Sequence, residues 1–435
     1  MSLIKKKIFY LSIFIYSIFF LGFIFNENSI GSGGYNGDLL WMWKNFSIFK
    51  NNSLINSINS YDFTGNRSPL LYVINILFNP FINQIEQYRM SIFVFSFLGP
   101  ITLYLFLKNK FLNVNKETIL LISSFLVLSP FYRSSAIWGL EINYGIISSI
   151  LSIYFLNILK EEKKFSSLFL TILFSSLCVY FDQKLIIIPI YCMVNIYKTC
   201  VKRDIYYALL IYLLFSLPFI YLIKIWEGVV PKQTQTFNPE ALNSISNLKF
   251  HYYNIGYGST LIACYLLPLI ALFKKISISN FTEFLKNNIK IIVIPCGLYI
   301  AIFLYFDGYE MAQTVLPTNV LTNTTYGLGF INKFSHILFE SINHQKIFLS
   351  LSFIFSWVVL LYSISEKIFS WYLGFYFFVI SLALTPLMQE YFDPYVFLFG
   401  LLFIGKNIKI VPMGPLYAFF ILFFYLSFAV FFYNT

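Results

Sequence analysis

The chain has 435 residues, 58% of them hydrophobic and only 11% charged, with a net charge of +11. Soluble domains carry about 25% charged residues, so this chain cannot clothe a water-facing surface. Its mean hydropathy of +0.72 points to an all-α, polytopic membrane protein and excludes cytosolic enzymes, nucleic-acid binders and secreted disulfide scaffolds.

The basic excess fits cytoplasmic loops, which favour Lys and Arg. Cys178, Cys192, Cys200, Cys264 and Cys296 are scattered through apolar stretches without a CxxC pair, and read as small buried hydrophobes.

A helical span needs about 20 apolar residues. The first candidate runs from Ile8 to Phe25 behind Lys5, Lys6 and Lys7. No small-residue cleavage site follows, so it reads as an anchor with its lysines inside. Residues 26–88 form the most polar long segment. Its apolar run Pro69 to Ile82 is short for a span, and crossing there would put the downstream basic clusters outside. It is therefore expected to lie in the outer interface. Further spans are expected near 90–107, 117–137, 142–159, 166–181, 185–198 and 205–224. Later ones fall near 257–273, 290–306, 347–364, 368–387, 394–405 and 414–433. The total is about thirteen by the span-length rule. This places Lys108/Lys110/Lys116, Lys160/Lys163/Lys164, Lys198/Lys202/Arg203, Lys274/Lys275/Lys286, Lys367 and Lys406/Lys409 inside. Two parts are expected: a catalytic membrane module over 1–224 and a C-terminal transmembrane half over 225–435, with outer loops at 225–256 and 307–346.

Charges at span ends on one side of a membrane are functional candidates. On the outer side these are Asp38, Asp62, Arg67, Arg89, Arg133, Glu141, Asp182 and Lys184. Asp38 follows Gly31, Gly33, Gly34 and Gly37, which let the backbone turn tightly. Apolar and aromatic residues at 39–43 and 46 then suit an interfacial helix. Asp38 sits near that helix's N-terminus, where a carboxylate is favoured, and a plain capping role stays open. Pro130 and Gly139 break the helices and leave Arg133 and Glu141 in a short hairpin, where a local ion pair is the simpler reading. Asp182 and Lys184 also fit a charged tip with an i,i+2 pair. Arg67 and Arg89 flank the interfacial segment and suit headgroup anchoring. His251, His336 and His344 lack metal-ligand spacing, and no phosphate-binding glycine loop is present.

The order of these landmarks carries a resemblance. An acid in the first outer loop is followed by Asn66-Arg67-Ser68-Pro69-Leu70-Leu71-Tyr72. An Arg then opens a long span (YRMSIFVFSFLGPITLYLFLKNKF), a span ends in Ser-Pro, and an acid precedes the next span (LSPFYRSSAIWGLEINYG). Finally comes CVYFDQKLIIIP with its Lys. Over about its first 200 residues the chain resembles the GT-C superfamily of integral-membrane glycosyltransferases, in particular the branch containing protein O-mannosyltransferases and aminoarabinose transferases.

The resemblance implies a sugar donor on a polyprenyl or dolichyl phosphate and an active site at the outer face. It implies Asp38 as general base towards the acceptor, Glu141 as the second-loop acid and Lys184 as a phosphate contact. Two positions depart from the pattern. Leu39 replaces the second member of an acidic doublet, and Asn66 stands where a carboxylate often precedes the basic residue, with Asp62 four residues upstream. The expected enzyme is thus an inverting transferase with Asp38 and Glu141 catalytic, and Lys184, Arg133, Arg67, Asp62 and Arg89 binding substrate. Its partners are the polyprenyl-phosphate-linked sugar, the bilayer, and a glycan, lipid or protein acceptor, with no nucleic acid. No cofactor or metal site is assigned, and a divalent-cation requirement stays open. A bacterial plasma membrane is the expected location, or the endoplasmic reticulum in a eukaryote. The alternatives are an envelope polysaccharide polymerase or ligase using lipid-diphosphate donors, and a lipid-linked sugar flippase or transporter.

Overall fold

The computed structural model describes residues 3–28, 36–65, 67–112, 114–228, 231, 258–261, 263–265, 267, 278–305, 330–363 and 415–434. Among them the only regular structure is helical. In chain order the helices are α1 (Leu3–Ile24), α2 (Asn36–Asn51), α3 (Leu54–Asn59), α4 (Leu70–Phe78), α5 (Ile85–Ser96), α6 (Leu98–Lys110), α7 (Lys116–Ser124), α8 (Pro130–Ile137) and α9 (Ile142–Glu162). They continue with α10 (Phe165–Phe181), α11 (Ile187–Thr199), α12 (Lys202–Trp226), α13 (Ile278–Tyr305), α14 (Phe330–Leu338), α15 (Ile342–Ser363) and α16 (Pro415–Asn434). Short 3-10 turns at Phe125–Leu128 and Gln183–Ile186 lead into α8 and α11.

Among the described residues six helical stretches are long and apolar enough to cross a membrane: Lys5–Ile24, Ile85–Lys110, Ile142–Glu162, Lys202–Trp226, Phe281–Ala301 and Ile342–Tyr362. The expected spans at 368–387 and 394–405, and most of 257–273, lie outside the described residues. The expected spans at 166–181 and 185–198 are helices of 17 and 13 residues, shorter than a full crossing. The segment 117–137, read as one span, is two helices bent by 70° between Leu128 and Pro130. The cause is local. Ser129 caps α8, its Oγ accepting from the Tyr132 N–H at 3.4 Å, and Pro130 occupies the first turn, where its missing N–H costs nothing. Residues 130–137 are consequently a buried helix where a hairpin was expected.

α9 is the centre of the first half. It buries Gly145, Ser148, Ser149 and Ser152 among its apolar residues, and packs against α6, α8, α10 and α11. Small side chains allow such close approach where water supplies no drive between helices. α1 is apolar almost all round beyond its lysines, yet it buries a single stripe, Ile8, Ser12, Ile15 and Phe19, against α7 and α16. Phe9, Tyr10, Ile13, Phe14 and Phe20 on its other faces are exposed, as lipid-facing residues are. α16 reaches this core through the Phe125–Tyr425 ring pair at 5.4 Å and a 2.7 Å hydrogen bond from Tyr425 to the Tyr265 carbonyl. α13 and α15 pair through Tyr299 on Phe353 and Trp357 donating to the Ile291 carbonyl.

Within the stretch 69–82 the chain forms the nine-residue helix α4, and after Asp38 it forms α2. α2 buries Leu39, Met42, Asn45, Phe46 and Phe49, a helical stripe laid against α4.

Candidate functional site

The expected site residues come from five separate segments, and most of them gather where α1 ends, α5 begins, α9 begins and α10 ends. Three arginines are held there, each differently.

Arg89, near the start of α5, commits four of its five N–H groups. Its Nε donates to the Ile137 carbonyl at 2.7 Å, Nη1 to Glu86 at 3.0 Å, and Nη2 to the Phe23 carbonyl at 3.1 Å and to Asn26 Oδ1. Its guanidinium lies 4.6 Å from the ring centroids of both Phe23 and Trp138. It fastens the end of α1 to α5 and α8, which is a structural role.

Arg133, buried on α8, meets Glu27 through Nε at 2.7 and 2.9 Å and through Nη2, which also donates to the Ile18 carbonyl at 2.8 Å. The expected local pair with Glu141 is therefore not formed. The 70° bend carries Arg133 inward towards α1 and leaves Glu141 on the far side of Gly139. Trp138 Nε1 donates to the Glu27 carbonyl at 2.9 Å, completing this joint. Gly22 makes it possible: a Cβ there would meet the Glu27 carboxylate at 2.6 Å and collide with the guanidinium.

Arg67 takes Glu141. Both are mostly shielded, with side-chain exposures of 21% and 14%. Glu141 immediately precedes α9, and the chain arrives there through Gly139, whose φ of +71° belongs to the region that favours glycine. The Gly139 carbonyl accepts from the buried Tyr88 hydroxyl at 2.7 Å. Tyr88 in turn packs on Phe46 and Trp43 of α2, at ring separations of 4.8 and 5.9 Å. Phe46 also packs on Tyr72 of α4 at 4.8 Å. These rings hold α2 against the Glu141 neighbourhood, with half-buried Asp38 in the first turn of that helix. Burial pushes the Tyr72 hydroxyl well above its ordinary value; nearby Glu141 adds to this, and Asn45 and Arg67 act against it. Asn45 is buried and fixes the adjacent loop by accepting from the Thr64 N–H at 3.2 Å.

Asp182 and Lys184 make the expected i,i+2 pair at 3.4 Å, but with side-chain exposures of 2% and 12% they are inside the protein and not at a charged tip. The 3-10 turn after α10 folds them inward, Asp182 accepting from the Lys184 N–H at 3.1 Å. This turn lies close to the Arg67 loop: Ser68 Oγ donates to the Tyr180 carbonyl at 2.6 Å. Asp62 stands apart, exposed on the turn that follows α3, with its N–H on Ser60 Oγ. The glycines at 31, 33 and 34, and Asn66, lie outside the described residues.

The site therefore pairs each of four cations with its own carboxylate: Arg67 with Glu141, Arg89 with Glu86, Arg133 with Glu27 and Lys184 with Asp182. An anionic group reaching Arg67 or Lys184 would compete with a carboxylate already in place. Among the described residues no group of three or more His, Cys, Asp or Glu converges as a metal site would.

Glu27, Asn45, Tyr88 and Tyr180 are neighbours of the site that sequence reading did not single out, and Tyr72 entered only as the last residue of the Asn66–Tyr72 motif. Glu27 carried a usable signal, being the one acid between the chain start and Asp38 and directly beyond a span end. Tyr88 and Tyr180 carried none in a chain with 33 tyrosines. Comparison with protein-family models finds no match, and comparison with curated proteins finds none either.

Proposed function

We propose that the chain is a membrane glycosyltransferase that moves a sugar from a polyprenyl-phosphate donor to an acceptor hydroxyl at the outer face. About thirteen spans, the count that span length gives, would frame the site in the manner of the GT-C enzymes that about the first 200 residues resemble. The observation that supports the reading best is that the Arg67–Glu141 and Asp182–Lys184 pairs gather at one end of the bundle, beside α2, whose Trp43 and Phe46 pack on Tyr88 and whose first turn carries Asp38. Charged side chains gathered from distant segments into a shielded helix-bundle end are costly to bury even when paired, and such groups are functional candidates by default.

In this reading a new bond forms between the acceptor oxygen and the anomeric carbon as the bond from that carbon to the phosphate oxygen breaks. The hydroxyl proton passes to Asp38, and the electron pair leaves on the phosphate. General-base help of this kind requires hydrogen-bond reach. The leaving phosphate needs its charge stabilised, for which a preorganised cation is effective. Arg67 offers bidentate geometry and Lys184 a point charge. Arg133, first expected in this role, is held by Glu27 and the Ile18 carbonyl, so it and Arg89 are assigned to the frame. Glu141 holds Arg67 until the donor phosphate takes its place.

The test supplies a panel of radiolabelled polyprenyl-phosphate sugars, with a crude acceptor fraction, to membranes holding wild type or Asp38→Asn. Consumption of one donor by wild type, lost in the variant at equal expression, is expected. A panel left untouched by wild type, or a variant that turns over normally, overturns the reading.

A further inference from the structure

One residue near the site is engaged through both its backbone carbonyl and its side-chain hydroxyl. Tyr180, in the last turn of α10, is half-buried. Its carbonyl accepts from Ser68 Oγ at 2.6 Å, next to Arg67. Its hydroxyl reaches the other way into α12, donating to the Phe215 carbonyl at 2.5 Å and accepting from the Phe219 N–H at 3.2 Å. Phe215 and Phe219 are the two ends of one i to i+4 rung, so the hydroxyl sits on the backbone ladder itself.

The rung lies beside Pro218, inside α12. Proline has no N–H for the carbonyl one turn earlier and its ring crowds that carbonyl, so the helix is weakest there. A side chain entering the ladder at such a point is a recognised cause of helix bending. The ring of Tyr180 also meets Phe219 edge-on at 6.2 Å.

α12 is the least buried of the candidate spans. Within it only Ala208, Leu222 and Trp226 are buried, while Leu209, Leu210, Leu213, Leu214, Leu217 and Ile220 are exposed. Its last turn is nonetheless anchored, Trp226 Nε1 donating to the Ile58 carbonyl of α3 at 3.3 Å. Before Pro218 the helix is held by Tyr212, whose hydroxyl meets Ser175 Oγ at 2.7 Å, so the proline-weakened turn lies between two anchored segments and is where the helix can bend.

We propose that Tyr180 is a positioning residue: it couples the proline-weakened turn of α12 to the Arg67–Glu141 pair, so that bending of α12 sets how that pair is presented. The coupling runs from Phe215 and Phe219 through the Tyr180 side chain to its carbonyl, then through Ser68 to Arg67. The proposal rests on the transferase reading only in naming the pair's substrate.

The test is hydrogen exchange on the full chain in detergent or nanodiscs, comparing wild type, Tyr180→Phe, Ser68→Ala and Pro218→Ala. Tyr180→Phe keeps the ring and removes only the hydroxyl. Its loss should speed exchange at the Phe219 amide by about fivefold, the size of one hydrogen bond, and speed exchange across 67–72 as well. Pro218→Ala restores the missing backbone N–H and should shrink the effect of Tyr180→Phe on both segments. Ser68→Ala should cut the link, leaving 67–72 insensitive to Tyr180→Phe. Unchanged exchange at 67–72 in Tyr180→Phe overturns the coupling, whatever the chain's activity.

If a donor is turned over, Tyr180→Phe should raise the donor KM about fivefold with kcat nearly unchanged, the pattern of lost binding geometry. An equal fall in kcat and kcat/KM would place Tyr180 in the chemical step and overturn the positioning role. Absence of any turnover in wild type counts against the transferase reading and leaves the exchange test standing.

Discussion

Where α1 ends and α9 begins, ion pairs join Arg67 to Glu141 and Arg133 to Glu27, 74 and 106 positions apart and largely shielded from solvent. At the other end of α9, about 30 Å away at 1.5 Å per residue, Lys164 pairs with Glu162 and Arg203 with its neighbour Asp204. Three of those four side chains are about half exposed or more. The contrast separates two uses of charge. Exposed, local pairs contribute little and record only which side a loop faces. Shielded, long-range pairs fix one helix against another, because leaving either member alone in a low-dielectric interior is costly.

The largest expected effect that would sharpen this contrast is on activity. Asp38→Asn should lower sugar transfer by about 100-fold or more, the range for loss of a general base. Glu162→Gln at the opposite end should leave it unchanged. Transfer assays in membranes with matched expression measure both, and equal losses would erase the distinction between the ends.

Next comes stability. Glu27→Ala leaves the Arg133 guanidinium shielded and uncompensated and should cost about 3 kcal/mol, read as a lower thermal midpoint in detergent. Replacing both members with apolar residues, Glu27→Leu with Arg133→Met, should recover much of that loss. Glu162→Ala should shift stability by less than about 0.5 kcal/mol. A harmless Glu27→Ala would break the comparison at its strongest point.

A smaller effect is expected at Tyr88. Tyr88→Phe removes the donor to the Gly139 carbonyl and should cost about 1 kcal/mol in the same unfolding measurement, with Glu141 less well placed as a consequence.

The smallest effect concerns pH. The Tyr72 hydroxyl has its pKa raised by burial and by Glu141, so above pH about 10 the unfolded chain loses this proton first. The contribution is complete below that pH and is lost as the pH rises further. Tyr72→Phe should therefore flatten the alkaline fall in stability. An unchanged alkaline limb would mean that Tyr72 is not shielded beside Glu141.

Composition and the basic clusters were enough to determine that the chain is helical and built for a membrane, since too few charged residues exist to cover a soluble surface. The glycines before Asp38 and the short apolar run after Pro69 marked the two short helices α2 and α4 in the polar segment that follows α1. Asp38 at a helix start, and the Asp182–Lys184 pair, were readable because both depend on neighbours within a turn.

What only the tertiary structure decided is which residues meet. α1 is nearly uniform in hydropathy, so no periodicity marks the stripe from Ile8 to Phe19 that it buries. Arg133 stands eight positions from Glu141, yet it pairs with Glu27 on the far side of the sequence. That choice follows from the bend after Leu128 and from the absence of a side chain at Gly22. Ion-pair partners in a helical bundle are set by where helices cross and how closely they approach. Those are sums over many packing contacts, and no single stretch of sequence contains them.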